Sequence, residues 1–266
     1  MFRLAIVLLS VIGLAQPGEA QQMTSNIRSE LASSGRLRVG INFGNALLTR
    51  RDAGGIPGGI AVDLAQELAK RLGVPMDIVS YESAGKMADG AKDGAWDVAF
   101  LATDPDRANE IAFAPPYLEI ESTYLVPPGS PLRSIADVDR EGVRVAVSEK
   151  SAYDLYLTRE LKRATLVRAP GVNASVELYF AEKLDALSGL KPSLVELADR
   201  QPGSRVLDGR FTVVQQAVGT PKGRETAAKY LREFVEDVKA SGLVAKAIEK
   251  NGIRGVSVAP KAPAGR

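Results

Sequence analysis

The feature that most limits the fold of this chain is the alternation of short apolar runs with amphipathic stretches. RLRVGIN at residues 36–42 predicts a strand, and IAVDLAQELAKRLG at 60–73 predicts a helix whose apolar residues share one face. Gly73 stands where a helix stop is expected. Further strands are predicted at 76–81 and 96–102. A repeated β-α-β pattern of this kind favours a parallel sheet with right-handed crossovers.

The pattern restarts after a Pro/Gly-rich turn that follows an extended run at 122–127. A second β-α series begins at 143–147, and another extended run at 211–218 leads into charged helices at about 223–250. Two extended crossings predict two α/β lobes joined by a hinge, with the second lobe inserted into the first. The predicted divisions are a first lobe of 23–124 plus 216–252, a second lobe of 125–215 and a disordered tail of 253–266.

The first 20 residues have the organisation of a secretory signal peptide. A short basic start precedes an apolar segment from Leu4 to Ala15, which is too short to span a bilayer, and small residues stand at Gly18 and Ala20. Cleavage after about Ala20 would release an exported protein. We therefore expect the mature chain in the periplasm.

The chain contains neither cysteine nor histidine. This composition excludes a disulfide framework, a thiolate nucleophile, a Ser-His-Asp triad and an ordinary zinc site, while a Ser-Lys pair stays open. A net charge of +2 and 6% aromatic residues give no basic stripe with stacking side chains, so nucleic acid is not an expected partner. We expect no cofactor, no metal and a monomer.

Arg107 lies in LATDPDRANEIAFAPPY (101–117), where one apolar run ends and another begins. A guanidinium at the end of a strand can hold a carboxylate through two parallel hydrogen bonds. The alternative is a surface arginine paired with Asp104 or Asp106, because exposed ion pairs are common. The residues alone leave both interpretations open and favour the ion pair.

Four motifs in order, GIAVDLAQELAKRLG, GAWDVAF, DPDRANEIAFAPPY and STYLVPPGSPLRSIADVDREGVRVAV, resemble the bacterial extracellular solute-binding proteins of family 3. The resemblance implies a two-lobed periplasmic-binding-protein (Venus-flytrap) fold, with a mostly parallel sheet in each lobe and two hinge crossings. It also implies a small carboxylate-bearing ligand, such as an amino acid, and a membrane permease of an ABC importer as partner. Arg107 and Phe113 match the family segment whose arginine clamps the ligand carboxylate, which reverses the preference for the ion pair. Asp104 replaces a family threonine and is expected to cap a helix.

The same resemblance places further ligand contacts in the loops that face the cleft. The expected contacts are Thr103, Asn42, Phe43, Asn45, Gly85, Lys86, Ser151, Ala152 and Tyr153. Each has a structural alternative. The residues of GINFGN can be ordinary turn residues, Lys86 can be a solvated side chain, and Tyr153 can be packed at a helix start.

One departure from the family concerns the acid that receives a ligand ammonium in many members. The chain has Leu190 and Lys191 at that place. A buried ammonium without a carboxylate partner is costly. Either another acid such as Asp104 or Asp154 takes the role, or the ligand is not a standard α-amino acid.

Two other functions remain open from the sequence. The same fold occurs in a periplasmic cyclohexadienyl dehydratase, which would need a general acid, and Glu119, Glu121 and Glu149 are the glutamates near the expected cleft. They form no recognisable acid-base pair, so we expect no enzymatic activity. The other possibility is a receptor that reports to a membrane sensor instead of a permease.

Overall fold

The computed structural model describes residues 17–263, so residues 1–16 of the predicted signal peptide lie outside the described residues. The helices are α1 Pro17–Leu31, α2 Ile60–Leu72, α3 Ala84–Asp89, α4 Ala152–Glu160, α5 Val172–Ala181, α6 Lys191–Asp199, α7 Glu225–Ala240 and α8 Leu243–Lys250. The strands are β1 Leu37–Asn42, β2 Arg50–Arg51, β3 Pro57–Gly58, β4 Met76–Tyr81, β5 Val98–Ala102, β6 Ile111–Phe113, β7 Leu118–Val126, β8 Arg144–Ser148, β9 Thr165–Ala169, β10 Ala186–Leu190, β11 Arg205–Val206, β12 Thr212–Pro221 and β13 Val256–Val258. Within the described range, no helix is both long and apolar enough to cross a membrane.

The main sheet consists of two parallel blocks joined by two long antiparallel strands. Its order is β4-β1-β5-β12-β7-β10-β8-β9. Strand β1 is parallel to β4 and β5, and β8 is parallel to β9 and β10. Strands β7 and β12 pair with each other in antiparallel register at the centre. This arrangement confirms the two-lobed α/β fold with two crossings, whereas the predicted lobe boundaries stay a prediction.

Helix α2 shows how local sequence sets one element of the first block. Its apolar residues, including Leu64, Leu68 and Leu72, are buried in a core that also contains residues of β1, α7 and α8. Gly73 ends the helix at φ 63°, in the left-handed region, and its N–H donates to the carbonyls of Ala69 and Lys70. Both the helix and its end were expected from the sequence.

Residues 253–263 correct the prediction of a disordered tail at 253–266, of which residues 264–266 lie outside the described part of the chain. Strand β13 pairs with Leu118–Ile120 of β7, and the N–H of the buried Ala259 donates to the carbonyl of Tyr117 at 3.1 Å. The physical reason lies in β7, whose partner β10 covers only its second half, from Ser122 to Leu125. Strand β13 therefore pairs a strand edge that would otherwise be open.

Candidate functional site

A cavity of about 590 Å³ lies between the two blocks of the sheet, a volume typical of small-molecule sites. It is lined from the first block by residues at the carboxyl ends of β1 and β5 and from the second block by the start of α4. Residues of the crossing strand β12, of β10 and of α3, α5 and α6 also contribute to the lining. Ligands of open α/β sheets commonly bind at the carboxyl ends of the strands.

Arg107 is buried in this cavity, with 6% of its surface exposed. Its Nη1 donates to the carbonyl of Ala102 at 2.7 Å, and its Nη2 donates to the carbonyl of Lys150 at 2.8 Å. The first contact lies at the end of β5 and the second lies just before α4. The guanidinium therefore connects the backbone of the first block to that of the second.

The two aspartates near Arg107 in sequence pair with a different arginine. Arg159 of α4 contacts Asp104 at 2.8 Å and Asp106 at 3.4 Å, and no salt bridge joins Arg107 to any described residue. The surface ion-pair interpretation of Arg107 is therefore wrong. Asp104 accepts a hydrogen bond from the N–H of Asp106 in the turn before the 3-10 segment Arg107–Asn109. The N-cap position of that segment is Asp106 and has no side-chain capping bond, so the expected helix cap at Asp104 is wrong.

Burial away from water lowers the pKa of Arg107 from its ordinary 12.5 to about 10, against the opposing effect of the nearby Asp104 and Asp89. The charge is thus poorly compensated by the protein itself. The hydrogen bonds to Ala102 and Lys150 leave further N–H groups of the guanidinium without a protein partner. An anion bound to those groups would stabilise the charged form.

The start of α4 brings three of the expected residues to the cavity: Ser151, Ala152 and Tyr153. Ser151 caps the helix, with its Oγ accepting from the N–H of Asp154 at 3.1 Å. Burial raises the pKa of Tyr153 to about 12, although contacts with the hydroxyls of Ser151 and Ser148 oppose this shift. Ser151 and Tyr153 therefore bring neutral hydroxyl-bearing side chains to the lining.

Asn42 and Asn45, at the end of β1, also line the cavity. The Oδ1 of Asn42 accepts from the N–H of Gly44 at 3.0 Å, which fixes the loop. The carbonyl of Asn45 accepts from the hydroxyl of Thr49 at 3.0 Å. These residues therefore have a turn role and also line the cavity, so a role of Asn42 and Asn45 in ligand contact stays a prediction.

Four expected contacts do not line the cavity: Thr103, Phe43, Gly85 and Lys86. The ring of Phe43 lies under the guanidinium of Arg51, at 4.0 Å from the ring centroid. Lys86 is exposed to solvent. Gly85 is covered by the side chain of Lys150, because a Cβ at Gly85 would lie 2.6 Å from the Cβ of Lys150. The structure thus gives Gly85 a role in the contact between the blocks.

Gln216 is a cavity residue that the sequence did not indicate. It lies on β12 directly opposite Ala102, is 5% exposed, and makes no side-chain hydrogen bond to a described residue. The neighbouring pair of glutamines interrupts the apolar run of 211–218. That interruption is the signal from which a polar residue facing the cleft could have been inferred.

The acids considered for a ligand ammonium are occupied elsewhere. Asp104 pairs with Arg159, and Asp154 accepts from the N–H of Lys150 at 2.7 Å and from Arg168 at 3.0 Å. Neither of these aspartates lines the cavity, whereas Leu190 does.

The three glutamates considered as general acids, Glu119, Glu121 and Glu149, are also absent from the lining. Glu121 pairs with Lys191 at 2.8 Å and with Arg210 at 2.7 Å, which lowers the pKa of its carboxyl. Among residues 17–263, no group of three acidic side chains is arranged to hold a metal ion.

Comparisons with known proteins agree with this architecture. The chain is 24% identical over 262 residues to a cyclohexadienyl dehydratase of Pseudomonas aeruginosa, covering 93% of this chain and 94% of that protein. A solute receptor for L-cysteine of Neisseria gonorrhoeae has a TM-score of 0.75 at 21% identity, covering 87% of this chain and 95% of the receptor. An amino acid ABC transporter substrate-binding protein from Streptococcus pneumoniae, bound to L-arginine, has a TM-score of 0.72 at 19% identity, covering 88% and 99%. The model of one family, the bacterial extracellular solute-binding proteins of family 3, matches residues 37–252. The chain therefore belongs to the bacterial extracellular solute-binding proteins, family 3.

Proposed function

We propose that this protein is a periplasmic receptor that captures a small carboxylate-bearing ligand, an amino acid or a related compound, between its two lobes. It is exported by a cleaved signal peptide, acts as a monomer without a cofactor, and delivers its ligand to the membrane permease of an ABC importer. Family membership supports the general class, and the solved structures with this fold include receptors for amino acids.

The observation that carries the proposal is the buried guanidinium of Arg107 in the cavity, which forms no salt bridge with a described residue. A cation in such a place is costly unless something negative joins it. The hydrogen bonds to Ala102 and Lys150 hold its planar group in a fixed orientation. A ligand carboxylate would use the remaining N–H groups in a fork geometry.

Capture between the lobes requires contacts from both sides of the cavity. Asn42 and Asn45 contribute from the first block, and Ser151 and Tyr153 contribute from the second. A ligand that contacts both sides binds the closed arrangement of the lobes more tightly than the open one, and it therefore shifts the protein toward closure. The expected contacts at Thr103, Phe43, Gly85 and Lys86 would need a different lobe arrangement to reach it.

The test is a thermal-shift screen of the purified protein against amino acids and small carboxylates, followed by calorimetric titration of the compounds that bind. Loss of a partner for a desolvated carboxylate costs about 2 to 5 kcal/mol. We therefore expect Arg107→Ala to weaken binding roughly 30-fold to several thousandfold. Arg107→Lys should recover little of this loss, because an ammonium does not reproduce the planar fork.

Arg36→Ala is the matched control, since Arg36 forms an exposed ion pair with Asp77 at 2.6 Å and lies outside the cavity lining. That variant should bind as the wild type does. Binding by Arg107→Ala within threefold of wild type would show that the guanidinium does not hold the ligand. Delivery to an importer is tested by measuring ligand uptake in cells that lack this protein. Uptake should fall if the protein serves an importer, and it should stay unchanged if the protein serves a sensor.

The similarity to a cyclohexadienyl dehydratase favours one other candidate, an enzyme acting on cyclohexadienyl acids. Against it stands the position of the glutamates Glu119, Glu121 and Glu149, which lie outside the cavity lining. The glutamates that do line the cavity, Glu82, Glu177 and Glu196, are all exposed to solvent. Prolonged incubation of pure protein with prephenate or arogenate should yield no product above background. Turnover that Arg107→Ala abolishes would instead make the protein an enzyme.

A further inference from the structure

The cavity has one buried charge, and it is positive. Among the described residues of the lining, the charged ones are Glu82, Arg107, Glu177, Glu196 and Arg200, and all except Arg107 are exposed. Glu196 is also paired with Arg200 at 3.4 Å. The buried part of the site therefore offers a counter-charge for a carboxylate but none for an ammonium.

The buried acids near the cavity do not supply a counter-charge for an ammonium either. Both carboxylate oxygens of Asp154 already accept hydrogen bonds, from Lys150 and Arg168. Leu190, at the end of β10, adds an apolar side chain to the lining. A ligand with an α-ammonium would thus bury that charge without a partner, which is costly.

Most of the remaining buried lining is apolar. It includes Leu48, Met87, Phe100, Leu101, Leu187 and Leu194. Such a surface favours a ligand with an apolar body over one with a charged side chain, because burial of apolar area drives binding.

Gln216 adds a neutral polar group to the lining that also contains Arg107. Its residue lies opposite Ala102 in the antiparallel pair of β5 and β12, and Ala102 is the residue whose carbonyl accepts from Arg107. Opposed residues in such a pair have neighbouring Cα atoms, so Gln216 and the residue that accepts from Arg107 face each other across the two strands, and both line the cavity. Gln216 is 5% exposed and its amide has no partner among the described residues, so it can donate to a neutral oxygen of the ligand.

We propose that the cavity selects carboxylates with an apolar body and a neutral oxygen at C2, that is 2-oxo or 2-hydroxy acids, over the corresponding α-amino acids. This inference rests on the proposed function and specifies its ligand class. Arg107 holds the carboxylate, Gln216 donates to the oxygen at C2, and the apolar lining receives the body.

The test compares compounds that differ only at C2, by calorimetric titration of the wild-type protein. The aliphatic series is 4-methyl-2-oxopentanoate, L-leucine and 4-methylpentanoate, and the aromatic series is phenylpyruvate, L-phenylalanine and 3-phenylpropanoate. In at least one series, we expect the 2-oxo acid to bind at least about tenfold tighter than the amino acid, because the ammonium lacks a partner. The 2-oxo acid should also bind at least about threefold tighter than the acid that has no oxygen at C2, because its oxygen accepts a hydrogen bond from Gln216.

Two variants identify the residues responsible. Gln216→Leu should weaken binding of the 2-oxo acid to the affinity of the acid that has no oxygen at C2. It should leave the affinity for the latter acid unchanged. Leu190→Asp should reduce the preference for the 2-oxo acid over the amino acid, because it supplies a carboxylate near the ammonium. A Gln216→Leu variant that keeps the full advantage of the 2-oxo acid would contradict the role of the amide.

The outcomes separate this inference from the proposed function. Amino acids that bind as tightly as the 2-oxo acids, with binding lost in Arg107→Ala, would overturn the ligand class and leave the carboxylate receptor standing. Failure of every compound in both series to bind, or binding that Arg107→Ala does not weaken, would overturn the ligand class together with the clamp on which it depends.

Discussion

Replacing Arg107 by methionine separates the stability cost of the buried charge from its use in binding. Methionine keeps an unbranched apolar side chain in the same space but removes the guanidinium. The native side chain is buried, lacks a salt bridge among the described residues, and has its pKa lowered from 12.5 to about 10, chiefly by desolvation. The substitution therefore removes the free-energy penalty of a buried charge as well as two hydrogen bonds.

These two contributions are of similar size in the unliganded protein. The lowered pKa corresponds to roughly 3 kcal/mol of penalty on the charged form, at ~1.4 kcal/mol for each pKa unit. The hydrogen bonds to Ala102 and Lys150 stabilise the fold by about 1.5 kcal/mol each, or about 3 kcal/mol together. We expect the free energy of unfolding of Arg107→Met to lie within about 1 kcal/mol of the wild-type value, while affinity for a carboxylate falls by about 2 to 5 kcal/mol.

The assay is urea unfolding without ligand, followed by fluorescence of the single and fully buried Trp96, together with calorimetric titration of a carboxylate that binds. Arg36→Met serves as the exposed control. A loss of 3 kcal/mol or more in unliganded stability, about the value of both hydrogen bonds, would refute the reasoning. In that case Arg107 would be a structural link between the two blocks, and weaker ligand binding would follow from unfolding.

Three further predictions concern residues around the site. Asp97→Asn should lower the free energy of unfolding by about 3 kcal/mol in urea titrations, because the buried carboxylate has two arginine partners; an unchanged midpoint would contradict this. Gly44→Ala should destabilise the protein and weaken ligand binding, because its Cβ would clash with the carbonyl of Glu82 beside the cavity, whereas the control Gly54→Ala should change neither property. Hydrogen bonds from backbone N–H groups, that of Ala164 first, lower the pKa of Asp139, so its contribution to stability is present above the unfolded-state pKa of about 3.9 and is lost as pH falls through the lower folded value. Thermal unfolding between pH 6 and pH 2 should accordingly show a smaller loss of stability in Asp139→Asn than in the wild type.

The elements that the sequence predicts well depend on local patterns. Helix α2 has apolar residues at helical spacing and a glycine at its end, and both signals lie within one short stretch. The strands β1, β4 and β5 are recognisable for the same reason, since each is a short apolar run bounded by turn residues. Together they determine the α/β class without knowledge of any long-range contact.

The sequence is less informative where a structure depends on contacts between distant residues. Strand β13 was expected to be disordered because nothing in its own sequence indicates that Leu118–Ile120 needs a partner. The role of Gln216 depends on its register opposite Ala102, which sequence cannot supply. The ion-pair alternative for Arg107 was based on its sequence neighbours Asp104 and Asp106, whereas its hydrogen bonds go to the carbonyls of Ala102 and of Lys150, which is 43 residues away.

Lys150 links the guanidinium of Arg107 to the contact between the two blocks of the sheet. Its backbone has φ 53°, a left-handed conformation that is unfavourable for a lysine and persists only where surrounding contacts fix it. Its carbonyl accepts from Arg107, its N–H donates to Asp154, and its Nζ contacts Asp89 of the first block at 2.9 Å. The same guanidinium that faces the cavity therefore holds the backbone of the second block against the first. Under the proposed function, a carboxylate bound to the remaining N–H groups of Arg107 would therefore couple ligand capture to closure of the lobes through one side chain.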